Sequence, residues 1–313
     1  MCSSDLALNS LALVAATVGA VLLIGVAQGP TNPASAHILA QRVPREYFGM
    51  VFSVKQTGTP LGFALAGILF PALLEWVGWR GASLIAAAML VVAAILIEPL
   101  RPRLDVVTVA DRPKRSIWRS IQFVLAHPQL RVLGCSAFVF VVAQHTFTFY
   151  LVTYLYEHCG LSIARAGFLL FLSQIVGAAV RLVSGGLGDR MPRMKLLGWT
   201  GLGMAVGSTA TGLIGPETPF WAIALVVMGY GSMVISWNGT SQAEFAHLSP
   251  PGEAAATAAV QNALAFSGAV FGPPLFAAIA SAASYRAAFM AVAVCVFLIR
   301  SEEHTSELQS HLN

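Results

Sequence analysis

The 313-residue chain is 57% hydrophobic and only 10% charged, with a mean hydropathy of +0.73, whereas soluble domains carry about 25% charged residues. No soluble fold of this length hides so much apolar surface, so lipid must be the solvent for much of it. The formal net charge of +4 then reports membrane orientation and gives no reason to expect nucleic-acid binding.

Both ends read as foreign. MCSSDL and RSEEHTSELQSHLN resemble translated sequencing-library adapter, so residues 1–6 and 300–313 are expected to be non-native and the chain a fragment. A genuine hydrophilic terminus is the alternative. Between them, apolar stretches of about 20 residues, the length that crosses a bilayer, lie near 10–41, 46–74, 79–97, 131–156, 162–184, 197–214, 218–243, 254–282 and 284–299. Backbone groups in lipid must pair internally, so the reading is an all-α membrane protein of about nine spans.

Lys and Arg fix the expected orientation. Arg42 and Arg45 flank one turn, seven basic residues crowd the 98–131 connection, and Arg190, Arg193 and Lys195 fill another. With alternating spans these fall on one side, expected to be cytoplasmic at the inner (plasma) membrane. In RSIWRSIQFVLAHPQLR, Ile117, Trp118, Ile121, Val124 and Leu125 fall at helical spacing beside Arg115 and Arg119. That predicts an amphipathic helix on the cytoplasmic leaflet, or a short soluble linker helix. Cys135, Cys159 and Cys295 have no metal-ligand spacing. No metal or other cofactor is expected.

A shift of 206 residues aligns the chain with itself without a gap: Gly25 with Gly231, Asn32 with Asn238, Pro44 with Pro250, Gly62 with Gly268, and Trp79-Arg80 with Tyr285-Arg286. Such a period holds six spans, and two halves need twelve. Residues 7–97 then read as the remnant of a first half (helices four to six), 98–130 as a linker, and 131–299 as a complete second half. Repeats of this kind build secondary transporters.

The turn GGLGDRMPRMK, with Gly185, Leu187, Gly188, Asp189, Arg190 and Arg193, resembles the signature loop of major facilitator superfamily transporters; Pro192 stands where the pattern has Gly. LIGVAQGPTNPAS and VKQTGTPLG…GWR resemble helices four to six of bacterial members. The resemblance implies the superfamily fold, twelve helices of which about nine are present, and a cytoplasmic loop at 185–195. Asp189 is expected to accept backbone N–H bonds at the start of a neighbouring helix. Pseudo-symmetry makes that the helix beginning near Arg45 and Glu46, with Arg45 paired to Asp189. Gly185, Asp189, Arg190, Arg193 and Arg45 would then form a gate that holds the outward-open state. A merely basic loop that sets topology is the alternative.

Lys55 lies roughly 14 Å along its helix from Glu46, near the membrane midplane, where charge is costly and marks function. Its repeat mate is Gln261, and Gln56 pairs with Asn262. Asn32, Asn238, Gln144, His145, Gln174 and Trp237 fall at similar depth, so polar residues of both halves are expected to converge on a substrate site. Pro33 and Pro60 are expected to kink the lining helices. Each polar residue also has a plain reading as helix–helix packing; His145 suits either an interior histidine or a proton relay. Arg181 is expected to snorkel to the interface. A lysine without an intramembrane carboxylate suggests a negatively charged small-molecule ligand. The expected function is alternating-access transport of an organic anion by a monomer, possibly proton-coupled in symport. The alternatives are efflux of hydrophobic compounds through a cavity with Phe147, Phe149 and Tyr150, or a non-transporting sensor. No enzyme motif stands out: His37, His127, His145, His158 and His247 are scattered.

Overall fold

The computed structural model describes residues 18–104, 117–250 and 253–310, and all regular structure among them is helical. Helix α1 covers residues 18–28, and a turn at Gly29 and Pro30 separates it from α2, Thr31–Arg42. The span expected over 10–41 is therefore interrupted, and its first residues lie outside those described. Pro30 and Pro33 lack the N–H groups that would continue the ladder; it resumes where the Ala34 N–H donates to the Pro30 carbonyl at 2.9 Å. Pro33 falls in the first turn of α2, where a missing donor costs little.

After a 3₁₀ turn at Arg45–Tyr47 comes α3, Phe48–Ile97. Two spans were expected here, over 46–74 and 79–97. The run consists of two helical segments that meet at a kink at Gly78, the residue whose dihedrals leave the helical region (φ 68°, ψ 176°), a conformation glycine takes without a Cβ clash, so the break falls between the two expected stretches. Pro60, where a kink was expected, keeps helical dihedrals. A 3₁₀ turn at Glu98–Leu100 leads to α4, Arg101–Leu104.

The remaining helices are α5 (Ile117–Ala126), α6 (Pro128–Glu157), α7 (Ile163–Gly188), α8 (Arg193–Leu213), α9 (Phe220–Leu248), α10 (Ala254–Ala282) and α11 (Tyr285–Ser310). The predicted amphipathic helix is present as α5, but its apolar stripe divides. Val124 packs inward while Trp118 and Leu125 are exposed. Helix α11 continues past 299, where the last span was expected to end.

Among the described residues five helices are long and apolar enough to cross a membrane by length and composition: Leu73–Leu100, Pro128–Glu157, Ile163–Gly188, Phe220–Leu248 and Ala254–Ala282, with Tyr285–Ile299 a shorter apolar helix. Length and hydropathy thus do not return the nine spans expected. Helix α8 and the first part of α3 carry many Gly, Ser, Thr and amide residues, which dilute their apolar character, yet both pack within the bundle.

The main core joins α6 through α11, with Phe140, Phe147, Tyr154, Tyr230, Trp237 and Phe289 all nearly sealed. Tyr154 fixes the far end of α8, its hydroxyl reaching the carbonyls of Thr211 (2.7 Å) and Ile214 (2.8 Å). A second cluster gathers Ala36, Phe48 and Phe52 with Ala243, Ala246 and Ala258. Phe52 and Ala258 are mates under the 206-residue shift. Helix α3 packs on α9, and α10 packs on α2; the shift exchanges those two contacts, as a twofold relation requires.

Helix α10 approaches α6 through Gly268 and Gly272, one turn apart on one face. A Cβ on Gly268 would fall on the Phe138 carbonyl oxygen, and one on Gly272 would lie 2.9 Å from Val142. Without a hydrophobic drive between helices in lipid, such close contact carries much of the association. Gly268→Leu should therefore cost about 1–3 kcal/mol by overpacking, read as a lower thermal midpoint in detergent. Gly62→Ala, where nothing lies within 4 Å, should leave the midpoint unchanged.

Candidate functional site

The first part of α3 is joined to α7 and α9 at two levels. At the first, the backbones nearly touch: a Cβ on Gly49 would sit 2.5 Å from the Gly185 carbonyl oxygen, and one on Gly185 would sit 2.6 Å from Ser53. Asp189, just past the end of α7, accepts from the backbone N–H of Gly49 (Oδ1, 2.6 Å) and Met50 (Oδ2, 2.9 Å). These are first-turn donors of α3 with no partner in their own helix, at the end whose dipole favours an anion. Arg193 completes the cluster. Its guanidinium meets Asp189 Oδ1 at 3.3 Å and Glu244 Oε2 at 3.4 Å, and donates to the Arg45 carbonyl at 3.2 Å. The expected Arg45–Asp189 ion pair is not found. Arg193, four residues on at the start of α8, takes that place, so Arg45 contributes its backbone only. Arg190 is exposed.

The second level lies one to two turns further along α3. Lys55 Nζ donates to Asn32 Oδ1 (2.9 Å) and Gln242 Oε1 (3.1 Å), and sits 5.9 Å from the centre of the Phe52 ring. Gln56 Nε2 donates to Asn238 Oδ1 at 2.6 Å. Arg181, only 2% exposed, does not snorkel as expected. Its guanidinium bonds the carbonyls of Gln56 on α3 and Ile235 on α9. The Gln56 carbonyl is available because its helical partner would be the N–H of residue 60, and Pro60 has none. A buried charge satisfied only by carbonyl dipoles demands such freed or shared oxygens.

Helices α6 and α10 supply the other candidates. Trp237 Nε1 donates to Gln144 Oε1 at 3.1 Å. Gln261 Nε2 donates to Ser241 Oγ at 2.9 Å, while Gln261 Oε1 and Asn262 Nδ2 are buried without a partner. Not every candidate joins this cluster. His145 Nδ1 donates to the Val141 carbonyl of its own helix (3.1 Å), and its ring stands edge-on to Phe149. The Tyr150 hydroxyl donates to the Pro273 carbonyl at 3.1 Å, with the ring on Phe276. Phe147 is fully buried, its ring edge-on to Tyr230. Sequence reasoning missed Gln242, Ser241 and Arg181. The first two were detectable, because Asn238, Ser241 and Gln242 share one face of α9 at i, i+3 and i+4.

The family model described as Major Facilitator Superfamily matches residues 6–270. The chain belongs to the major facilitator superfamily. An uncharacterized superfamily transporter of Mycobacterium tuberculosis (strain CDC 1551) is 27% identical over 299 residues, covering 89% of this chain and 63% of the relative. The nitrite extrusion protein of Bacillus subtilis is 26% identical over 218 residues, covering 70% of this chain and 49% of the relative. The chain thus spans less than two thirds of the length of these superfamily relatives. Among solved structures it resembles the Escherichia coli fucose:proton symporter FucP (TM-score 0.68, 17% identity, 88% of this chain and 72% of that one). It also resembles the human organic anion transporter MFSD10 (TETRAN) (TM-score 0.64, 18% identity, 87% of this chain and 67% of that one). Superfamily membership makes this a multi-pass membrane fold.

Removing one partner of a buried, hydrogen-bonded charge cluster leaves the others stranded. Asp189→Ala should lower stability by about 2–4 kcal/mol, measured by thermal unfolding in detergent. Adding Arg193→Ala should cost less than the sum of the two single changes.

Proposed function

We propose that the protein is a secondary transporter that carries a small organic anion by alternating access. One observation carries the reading. Lys55 holds its charge between an amide of α2 and an amide of α9, and among the described residues no carboxylate oxygen lies within ion-pair distance of it. An unneutralised ammonium between two repeat-related sets of helices attracts an anion and is costly when left without one. The Bacillus subtilis relative is named for export of a small anion, which agrees with the reading. In this scheme the described helices occupy positions four to twelve of a twelve-helix plan. Lys55, Gln56, Asn32, Gln144, Trp237, Asn238, Gln261 and Asn262 serve the substrate, and His145 is the candidate for proton coupling in symport.

The same proposal makes the Asp189–Arg193–Glu244 cluster a gate. Its bonds to Gly49 and Met50 exist only while the ends of α3 and α7 are together, so they favour the state closed at that end. The Lys and Arg distribution assigns that end to the cytoplasm. Efflux of hydrophobic compounds is the second reading. It is favoured by a cavity of about 530 Å³ among α3, α6 and α7, lined by Phe63, Phe168 and Phe171, with Thr148 and Gln174 the only polar side chains among the described lining residues.

Reconstituted into liposomes, the protein should take up labelled lactate, faster with acid outside and not at all after Lys55→Ala. Resistance of cells to hydrophobic cations that survives Lys55→Ala, with no lactate uptake, would favour efflux. Absence of any flux would point to a sensor.

A further inference from the structure

The orientation of the amides around Lys55 is forced by elementary chemistry. An ammonium has three donors and no acceptor. Asn32 and Gln242 must therefore turn their oxygens to Nζ, at 2.9 and 3.1 Å. A carboxamide is planar, and its oxygen and NH₂ leave one carbon about 120° apart. Fixing each oxygen on Nζ fixes which edge of the amide carries the NH₂, beside the ammonium and not on it. Among the described residues neither Asn32 Nδ2 nor Gln242 Nε2 has a hydrogen-bond partner, and neither is among the sealed, unpartnered atoms. Both NH₂ groups are thus donors without a protein acceptor, the one on Gln242 in a residue only 6% exposed. Trp237 acts likewise on Gln144: an indole N–H only donates, so it fixes Gln144 Oε1 at 3.1 Å and frees the NH₂.

Lys55 is in turn largely committed. Two of its three donors are used on these amides, and Phe52 shields one side of the ammonium. An incoming anion meets carboxamide N–H groups that are already aimed.

We propose that Lys55 is a positioning residue, which holds the Asn32 and Gln242 carboxamides so that their NH₂ groups, one from each half, form a paired donor site for a planar oxyanion. The inference rests on the anion-transport reading and names its ligand class. In such a site the two N–H donors would match two oxygens of one carboxylate or nitrite group, and the ammonium would add its field without direct contact. The donors discriminate by shape: a spherical halide gains one such bond well, whereas a planar XO₂ group gains two. Gln242 becomes a binding residue and Asn32 its counterpart.

The chain in lipid nanodiscs is titrated calorimetrically with sodium acetate, sodium nitrite and sodium chloride. Wild type should bind acetate or nitrite in preference to chloride. The stronger of the two tells whether the ligand is a carboxylate or an inorganic nitrogen oxyanion. Gln242→Met should reduce that preference about tenfold, the equivalent of one hydrogen bond to a charged group. Gln242→Glu keeps an oxygen for Lys55, and so the fold, but removes the NH₂; it too should lose the preference. Lys55→Arg, again donor-only, should retain it. If Gln242→Met leaves planar-anion binding intact while Lys55→Met abolishes it, the ammonium itself takes the anion. The orientation proposal then fails and the transport reading stands. If Lys55→Met binds as wild type does, or wild type binds neither planar anion, both are overturned.

Discussion

The backbones of α3 and α7 approach to contact at Gly49 and Gly185, and the joints between α3 and the later helices are spaced from that point. Helices in lipid gain nothing from hiding apolar surface from one another, so closeness and polar pairing must do the joining. The two run in opposite senses from the contact. Gly49 meets Asp189, Ser53 meets Gly185, and Gln56 meets Arg181. On the α9 side Ser53 meets Gly239 and Gln56 meets Asn238. A side chain at residue 49 or 185 would part the helices and lengthen each of these bonds.

The joints differ in kind along their length. Near the end of α7 charges meet charges, and Asp189 serves as a helix cap supplied by another helix. Deeper in, no described carboxylate takes part: Lys55 rests on amide oxygens and Arg181 on carbonyls. The apolar cluster of Ala36, Phe48, Phe52, Ala243, Ala246 and Ala258 is drawn from α2, α3 and α9, the three helices of the Lys55 bonds, and from α10. Its repeat mates place it near the pseudo-twofold relation of α2 and α3 to α9 and α10, which explains why it is small: only a patch near the axis is shared by all four.

Much of the fold was legible because composition, glycine spacing and the 206-residue period each survive without tertiary knowledge. Asp189 was legible because the turn at 185–195 resembles the superfamily's signature loop and a carboxylate suits a helix start. The breaks were legible in part. The break at Gly78 falls between the two stretches the sequence separates, whereas Gly29 and Pro30 interrupt one that it runs on. Hydropathy alone does not show the second, which depends on whether the freed backbone groups find partners. The site was read by depth, which placed Lys55, Asn32, Gln56 and Asn238 together but also drew in His145 and Tyr150. Their partners are an own-helix carbonyl and the Pro273 carbonyl, and depth says nothing of which way a side chain points. Gln242 was passed over because attention fell on repeat mates, and its mate is the small Ala36.

Pro60 keeps helical dihedrals in α3, yet its missing donor reaches another helix. The orphaned oxygen of Gln56 is collected by a guanidinium from α7, so an absence in one element is answered by a charge in another. The two residues form one unit in spite of the 121 positions between them. Alanine at 60 would reclaim the oxygen for its own helix and strand the guanidinium in a dry interior; methionine at 181 would orphan the oxygen. Neither change is tolerable singly, and each removes the reason for the other.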